Sequence, residues 1–79
     1  MTTSVIIPNN GEYHLVASGS SRIQFRGDVY AVYDSNLPAN TVAGHPESNN
    51  IAYPGTDNVY LKVRGSSRNP AIECIVTEV

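Results

Sequence analysis

The sequence predicts an all-β fold, a small antiparallel β-sandwich or open β-barrel of about six to eight short strands. Val and Ile number 15 against three Leu, and β-branched side chains of this kind fit the pleated surface of a sheet. Ser, Asn, Gly and Pro supply 27 of the 79 residues, whereas the helix formers Lys and Gln occur once each. Gly or Pro also interrupts the chain so often that no good helical window of about 12 residues remains.

Apolar alternation with a period of two, bounded by turn residues, marks the expected strands of the N-terminal half. The first, residues 4–7, ends at a Pro-Asn-Asn-Gly turn, and residues 12–18 follow it. A tight Gly-Ser-Ser connection leads into residues 22–26. There Ile23 and Phe25 alternate with polar residues, so this strand is expected to have one buried and one exposed face.

The middle of the chain predicts one central strand and one long loop. The Gly27-Asp28 pair is expected to turn the chain into residues 29–33, which are apolar on both faces. Asn, Pro and Gly then break any period, so residues 34–53 are expected to form the long loop, with a short strand at residues 51–53. A loop of this length is usually functional or packed onto another element.

Two amphipathic strands are expected in the C-terminal part, at residues 59–64 and 71–79. The second places Ile72, Cys74 and Val76 on one face and Glu73, Ile75 and Thr77 on the other. The sequence Gly-Ser-Ser-Arg at residues 65–68 repeats that at residues 19–22. Both copies predict a strand, a turn and a strand, and hence two similar hairpins at the edges of the fold.

The size and charge of the chain limit its functions. At 8.5 kDa it allows one domain, residues 1–79, and is too small for separate cofactor and substrate domains. Five cations against seven anions do not make a basic surface, so no nucleic-acid partner is expected. No apolar run approaches about 18 residues, and the N-terminus lacks the basic start of a signal peptide, so no membrane partner is expected either.

The residues capable of chemistry predict no enzyme, metal site or cofactor. His14 and His45 lie too far apart in the sequence for a typical metal site. Cys74 lies between Ile72 and Val76, where burial raises the pKa of a thiol and makes it a poor nucleophile. Because Cys74 is the single cysteine, no internal disulfide forms, which favours folding in a reducing cytoplasm.

The arginines and tyrosines leave several interpretations open. Arg22, Arg26, Arg64 and Arg68 are four of the five cations and flank the two similar segments. They could pair with neighbouring carboxylates, anchor a protein interface or bind a small anion. The five tyrosines fit the edge of a core or an interface, and a sugar-stacking platform is the alternative.

Three segments carry a resemblance to a known group of proteins: Ser-Gly-Ser-Ser-Arg-Ile-Gln-Phe-Arg-Gly at 18–27, Val-Tyr-Leu-Lys-Val-Arg-Gly at 59–65 and Ile-Val-Thr-Glu-Val at 75–79. Together with the short apolar first strand, they resemble the small virion proteins of tailed bacteriophages, particularly those that decorate or cement the capsid. The resemblance covers most of the chain. It implies a non-enzymatic structural protein that folds in the bacterial host cytoplasm, lies on the capsid surface of the virion and stabilises the lattice of the major capsid protein, often as a trimer.

Two other functions stay open beside this one: a component of the tail or the head–tail junction, and a small β module that binds a glycan or receptor. A chain with only 15% charged residues fits a protein interface, because interface cores are depleted in charge. The expected partner contacts lie in the first strand, the long loop and the arginine-bearing hairpins, with two tyrosines in support. They are Val5, Ile6, Ile7, Arg22, Arg26, Tyr33, Leu37, Ile51, Tyr53, Arg64 and Arg68.

Overall fold

A computed structural model describes residues 2–65 and 68–78 of the chain. It confirms the all-β prediction: the described residues form six strands and no helix, and the antiparallel sheet is nearly closed into a barrel. The strands are β1 (Thr2–Pro8), β2 (His14–Ser18), β3 (Ser21–Asp34), β4 (His45–Tyr53), β5 (Asn58–Val63) and β6 (Ala71–Glu78).

The 14-residue strand β3 organises the sheet, whose strand order is β1-β6-β3-β5-β2. The first half of β3, from Ser21 to Phe25, pairs with β6. Its second half, from Val29 to Asp34, pairs with β5. Strand β4 pairs with the other edge of β3 along both halves. One strand therefore belongs to two sub-sheets, β1–β6–β3 and β3–β5–β2, which enclose the core.

The change of partner occurs at a bend at Gly27, where the register of β3 against β4 shifts between Gln24 and Asp28. Gly27 has a φ of 132°, which L side chains rarely adopt, and an added Cβ would lie 2.9 Å from the Ile72 Cδ1. Its N–H donates to the Asn49 Oδ1 at 3.3 Å. The prediction that Gly27-Asp28 separates two strands is wrong, because the glycine bends one continuous strand instead.

The core lies between the two sub-sheets and receives side chains from all six strands. The predicted alternation is confirmed in β3, where Ile23 and Phe25 are buried, and in β6, where Ile72, Cys74 and Val76 are buried. The buried apolar cluster comprises Ile7, Val16, Ala17, Ile23, Phe25, Val29, Ala31, Ile51, Val59, Leu61, Val63, Ile72, Cys74 and Val76.

The predicted loop at residues 34–53 is too long, since residues 45–53 form β4 and the connection covers only residues 35–44. Strand β4 carries one deeply buried residue, Ile51, so its sequence shows no clear alternation. Strand β4 is defined by its backbone pairing with β3. Because it is mostly polar and pairs along one edge, its sequence shows little of the apolar alternation that would predict a strand.

The two Gly-Ser-Ser-Arg segments do not form hairpins, contrary to the prediction. The first connects β2 to β3, but β2 pairs with β5. The second connects β5 to β6, but β6 pairs with β1 and β3. Each segment therefore carries the chain from one sub-sheet to the other. Ser66 and Ser67 of the second segment, and Val79 of the predicted last strand, lie outside the described residues.

Replacing Gly27 by alanine tests the bend. We expect Gly27→Ala to lower the free energy of unfolding by about 1–3 kcal/mol, because the new Cβ imposes backbone strain and crowds Ile72. Urea unfolding followed by circular dichroism measures the change. Gly65→Ala is the matched control, since nothing lies within 4 Å of a Cβ there. Equal stability of the two variants would contradict the importance of the bend.

Candidate interaction surface

The outer face of β1, β6 and the first half of β3 carries two exposed apolar side chains. Ile6 of β1 is 66% exposed and Ile75 of β6 is 36% exposed. Ile75 lies opposite Ser4 of β1 and opposite Gln24 of β3, so these side chains share one face of three adjacent strands. We call this surface the outer face. It consists of Ser4, Ile6, Gln24 and Ile75, with the flanking Arg22, Arg26 and Glu73.

The charged side chains on the outer face differ in their hydrogen bonding. The Glu73 carboxylate accepts a hydrogen bond from the Ser4 Oγ at 2.9 Å. Arg22 and Arg26 are exposed on the same side of β3, and within residues 2–65 and 68–78 neither guanidinium forms an ion pair or hydrogen bond. The outer face therefore offers an apolar centre beside two cations that are unpaired among the described residues.

A groove of about 530 Å³ opens at the end of the outer face where β3 turns away from β6. The pairing of β3 with β6 ends at Phe25 and Cys74. Beyond that point, residues 71–73 of β6 pair with β1 alone. Arg26 lines one side of the groove, and Ala71, Glu73 and Ile75 line the other.

The loop at residues 35–44 packs against the outer side of the other sub-sheet. The Tyr13 hydroxyl donates to the Val42 carbonyl at 2.7 Å, and the Lys62 ammonium donates to the Asn40 carbonyl at 2.7 Å. Gly44 permits the close approach, since an added Cβ would lie 2.8 Å from the Tyr30 Cβ. These contacts hold the loop against the sheet.

Two cations lie against aromatic rings beneath this loop. The Lys62 Nζ lies 4.7 Å from the ring centroid of Tyr13, and the Arg64 Cζ lies 5.2 Å from that of Tyr30. The Arg64 Nε also donates to the Val29 carbonyl at 3.4 Å. Arg64 is thus held against its own sheet by a cation–π contact and a hydrogen bond.

Tyr33 and Tyr53 stack on each other, although they lie at distant points of the β3–β4 ribbon. Their ring centroids are 4.5 Å apart and their planes differ by 10°, and the His45 ring lies 6.0 Å from Tyr33. Burial, followed by the nearby Glu47 carboxylate, raises the pKa of Tyr33 to about 12. The stack therefore bridges the two halves of the bent ribbon and leaves both rings partly covered.

The predicted contact residues do not form one surface. Ile7 and Ile51 are 0% and 3% exposed, so the prediction that they contact a partner is wrong: both belong to the core. Val5, Tyr33 and Tyr53 are partly buried and pack against that core. Leu37 is 64% exposed but lies on the loop. Arg64 lies against Tyr30, and Arg68 is exposed near the second crossover.

The structure brings Ile6, Arg22 and Arg26 together on the outer face, and it adds two residues that were not among the predicted contacts, Ile75 and Glu73. The sequence contains a signal for Ile75, since an apolar residue alternates into the polar face of the last strand. No local pattern places Ile75 beside Ile6 and Gln24, because that depends on which strands pair.

The surroundings of Cys74 make its thiol a poor nucleophile. Burial, followed by the Glu73 charge, raises the pKa of the Cys74 thiol to about 11. The sequence predicted that this pKa would be raised. Over residues 2–65 and 68–78 there is no group of three or more His, Cys, Asp or Glu side chains that could hold a metal ion. Nor does that part of the chain contain a helix long and apolar enough to cross a membrane.

Comparisons with protein-family models, with curated proteins and with solved structures give no match to this chain.

Gly44→Ala tests the packing of the loop. We expect the added methyl group to push residues 35–44 off the sheet, because overpacking of this kind costs about 1–3 kcal/mol. Amide hydrogen exchange at Val42, whose N–H donates to the Ala39 carbonyl at 3.1 Å, should become at least about tenfold faster. Thr41→Ala, in the same exposed loop, is the control. Unchanged exchange in Gly44→Ala would show that the sheet does not hold the loop.

The reactivity of Cys74 tests its burial. In the folded protein at pH 8, we expect the thiol to react with Ellman's reagent at least about 100-fold more slowly than in guanidinium chloride, since the thiolate forms only on opening. The raised pKa also predicts that stability falls between about pH 9 and pH 11, because the unfolded thiol loses its proton first. Cys74→Ala should lessen this fall. Fast native labelling would contradict the assigned burial.

Proposed function

We propose that this chain is a non-enzymatic phage structural protein that decorates and cements a capsid by binding the major capsid protein through the outer face. The exposure of Ile6 and Ile75 beside Arg22 and Arg26 is the observation that carries the proposal. Interface cores are depleted in charge and enriched in apolar side chains, and arginine often contributes strongly to binding.

The small size of the chain favours attachment to a larger assembly. A stable interface buries about 800 Å² on each partner, which is roughly a sixth of the 4695 Å² accessible surface. One face can supply such an area to one neighbour, and contact with several capsid subunits would need further surface. The chain would assemble as a homo-oligomer, with a trimer favoured.

Binding to a lattice would also stabilise a fold that has few other reinforcements. The buried Cys74 is a free thiol, so no disulfide supports the core. A chain of this length buries only about 60% of the surface its unfolded form exposes, which makes its stability marginal. A partner that binds only the folded form raises stability by mass action, and many identical subunits supply a high local concentration.

Quantitative mass spectrometry of gradient-purified virions tests the proposed location. We expect hundreds of copies of the chain in each particle, and particles without it should lose infectivity at lower temperature and after milder osmotic shock. Absence from the particles, or presence in only a few copies at the tail, would overturn the proposal of a capsid decoration protein.

Two matched substitutions test the outer face. Ile6 and Leu37 are almost equally exposed, at 66% and 64%, but only Ile6 lies on the outer face. In cosedimentation with particles that lack the chain, Ile6→Asp should weaken binding at least about tenfold, because it places a charge in an apolar contact. Leu37→Asp should bind within about threefold of the wild type. The reverse result would place the contact on the loop and contradict the proposed face.

A further inference from the structure

The groove beside the outer face contains a length of sheet edge that the fold leaves open. Strand β6 lies between β1 and β3 as far as Cys74, but residues 71–73 have a strand partner on the β1 side only. On that side the pairing continues past the strand, since the Asn9 N–H donates to the Pro70 carbonyl at 2.9 Å. On the other side, the bend at Gly27 has carried β3 away.

The Phe25–Cys74 pair places the Arg26 N–H opposite the Glu73 carbonyl, and after Arg26 the backbone of β3 leaves this edge. The Gly27 N–H donates to the Asn49 side chain on β4, and the Asp28 carbonyl accepts from the Arg64 N–H beyond β5. In an antiparallel strand, successive residues direct their N–H and C=O groups to opposite neighbours. At least one residue among 71–73 therefore directs both groups into the groove.

The side chains at the mouth of the groove include one cation and one anion. Glu73 is engaged by the Ser4 hydroxyl, whereas Arg26, on the opposite wall, forms no ion pair or hydrogen bond within the part of the chain that the structure describes. Ile75 continues the apolar strip along the groove. An extended segment here would meet the backbone groups of Ala71, which have no strand partner among the described residues, together with the Arg26 cation, the Glu73 carboxylate and one apolar wall.

We infer that this groove binds an extended acidic segment of a partner protein, which adds as a short strand to residues 71–73 of β6 and pairs a carboxylate with Arg26. Strand addition supplies main-chain hydrogen bonds, and alternate side chains supply specificity. The inference rests on the proposed function, and it names the kind of contact that the capsid partner makes at one end of the outer face.

A synthetic peptide tests the inference without a virion. The probe is a capped seven-residue peptide of alternating valine and glutamate, titrated into the ¹⁵N-labelled full chain. We expect saturable shifts around the groove. At a peptide concentration about ten times the Kd, at least one amide of residues 71–73 should exchange about tenfold more slowly. The same peptide N-methylated at its glutamates should not bind, because the residues whose side chains share a face with Arg26 are those whose N–H groups point to β6.

Two arginine variants give a matched pair. Arg26→Glu should weaken binding of the glutamate peptide at least about tenfold and reverse the preference towards a lysine counterpart. Arg22 lies on the same face of β3, about 13 Å along the strand from Arg26. The Arg22→Glu variant should bind the glutamate peptide with an affinity within about threefold of the wild type. No binding, equal binding of the N-methylated or lysine peptide, or equal losses in the two variants would overturn the inference.

The outcomes separate the groove from the proposed function. If the peptide binds as expected but virions lack the chain, the groove stands and the capsid proposal fails. If virions carry the chain and Arg26→Glu attaches as well as the wild type, the capsid proposal stands and the groove is not its contact.

Discussion

The bend at Gly27 is the constraint on which the rest of the structure depends. It allows one strand to pair first with β6 and then with β5, so a single element holds together both sub-sheets and the core between them. Glycine is needed because φ is 132° and Ile72 fills the space where a side chain would lie. Without the bend, 14 residues of straight strand would extend about 46 Å, longer than the 31 Å length of the molecule.

The same bend creates the features to which we assign function. Where β3 leaves β6, it opens a groove beside residues 71–73, and before that point it aligns Arg22, Gln24 and Arg26 on the outer face. The polar and aromatic groups elsewhere are used for contacts within the chain. The Tyr13 hydroxyl holds the loop at residues 35–44, and the stack of Tyr33 on Tyr53 joins the two ends of the ribbon formed by β3 and β4. On the outer face, by contrast, Glu73 is engaged by Ser4, but Arg22 and Arg26 form no ion pair or hydrogen bond with the described residues.

The sequence predicts the fold class and the buried faces well, because alternation within one strand is a local property. It fails where strand pairing decides the outcome. Strand β4 has only Ile51 deeply buried, Gly27-Asp28 has the composition of a turn, and the two Gly-Ser-Ser-Arg segments join strands that pair elsewhere. The candidate surface is only partly predictable for the same reason: Ile6 and Ile75 lie 69 positions apart in the sequence and share a face through the pairing of β1 with β6.

Hydroxyl-radical footprinting of the chain, free and mixed with the capsid particles of the proposed function, tests most directly whether the outer face is the surface that a partner covers. Oxidation of Ile6 and Ile75 should fall at least about fivefold on attachment, since a well-packed interface excludes solvent, while Leu37 should be oxidised at a similar rate in both states. Undiminished oxidation of Ile6 and Ile75 on the particle would contradict the account.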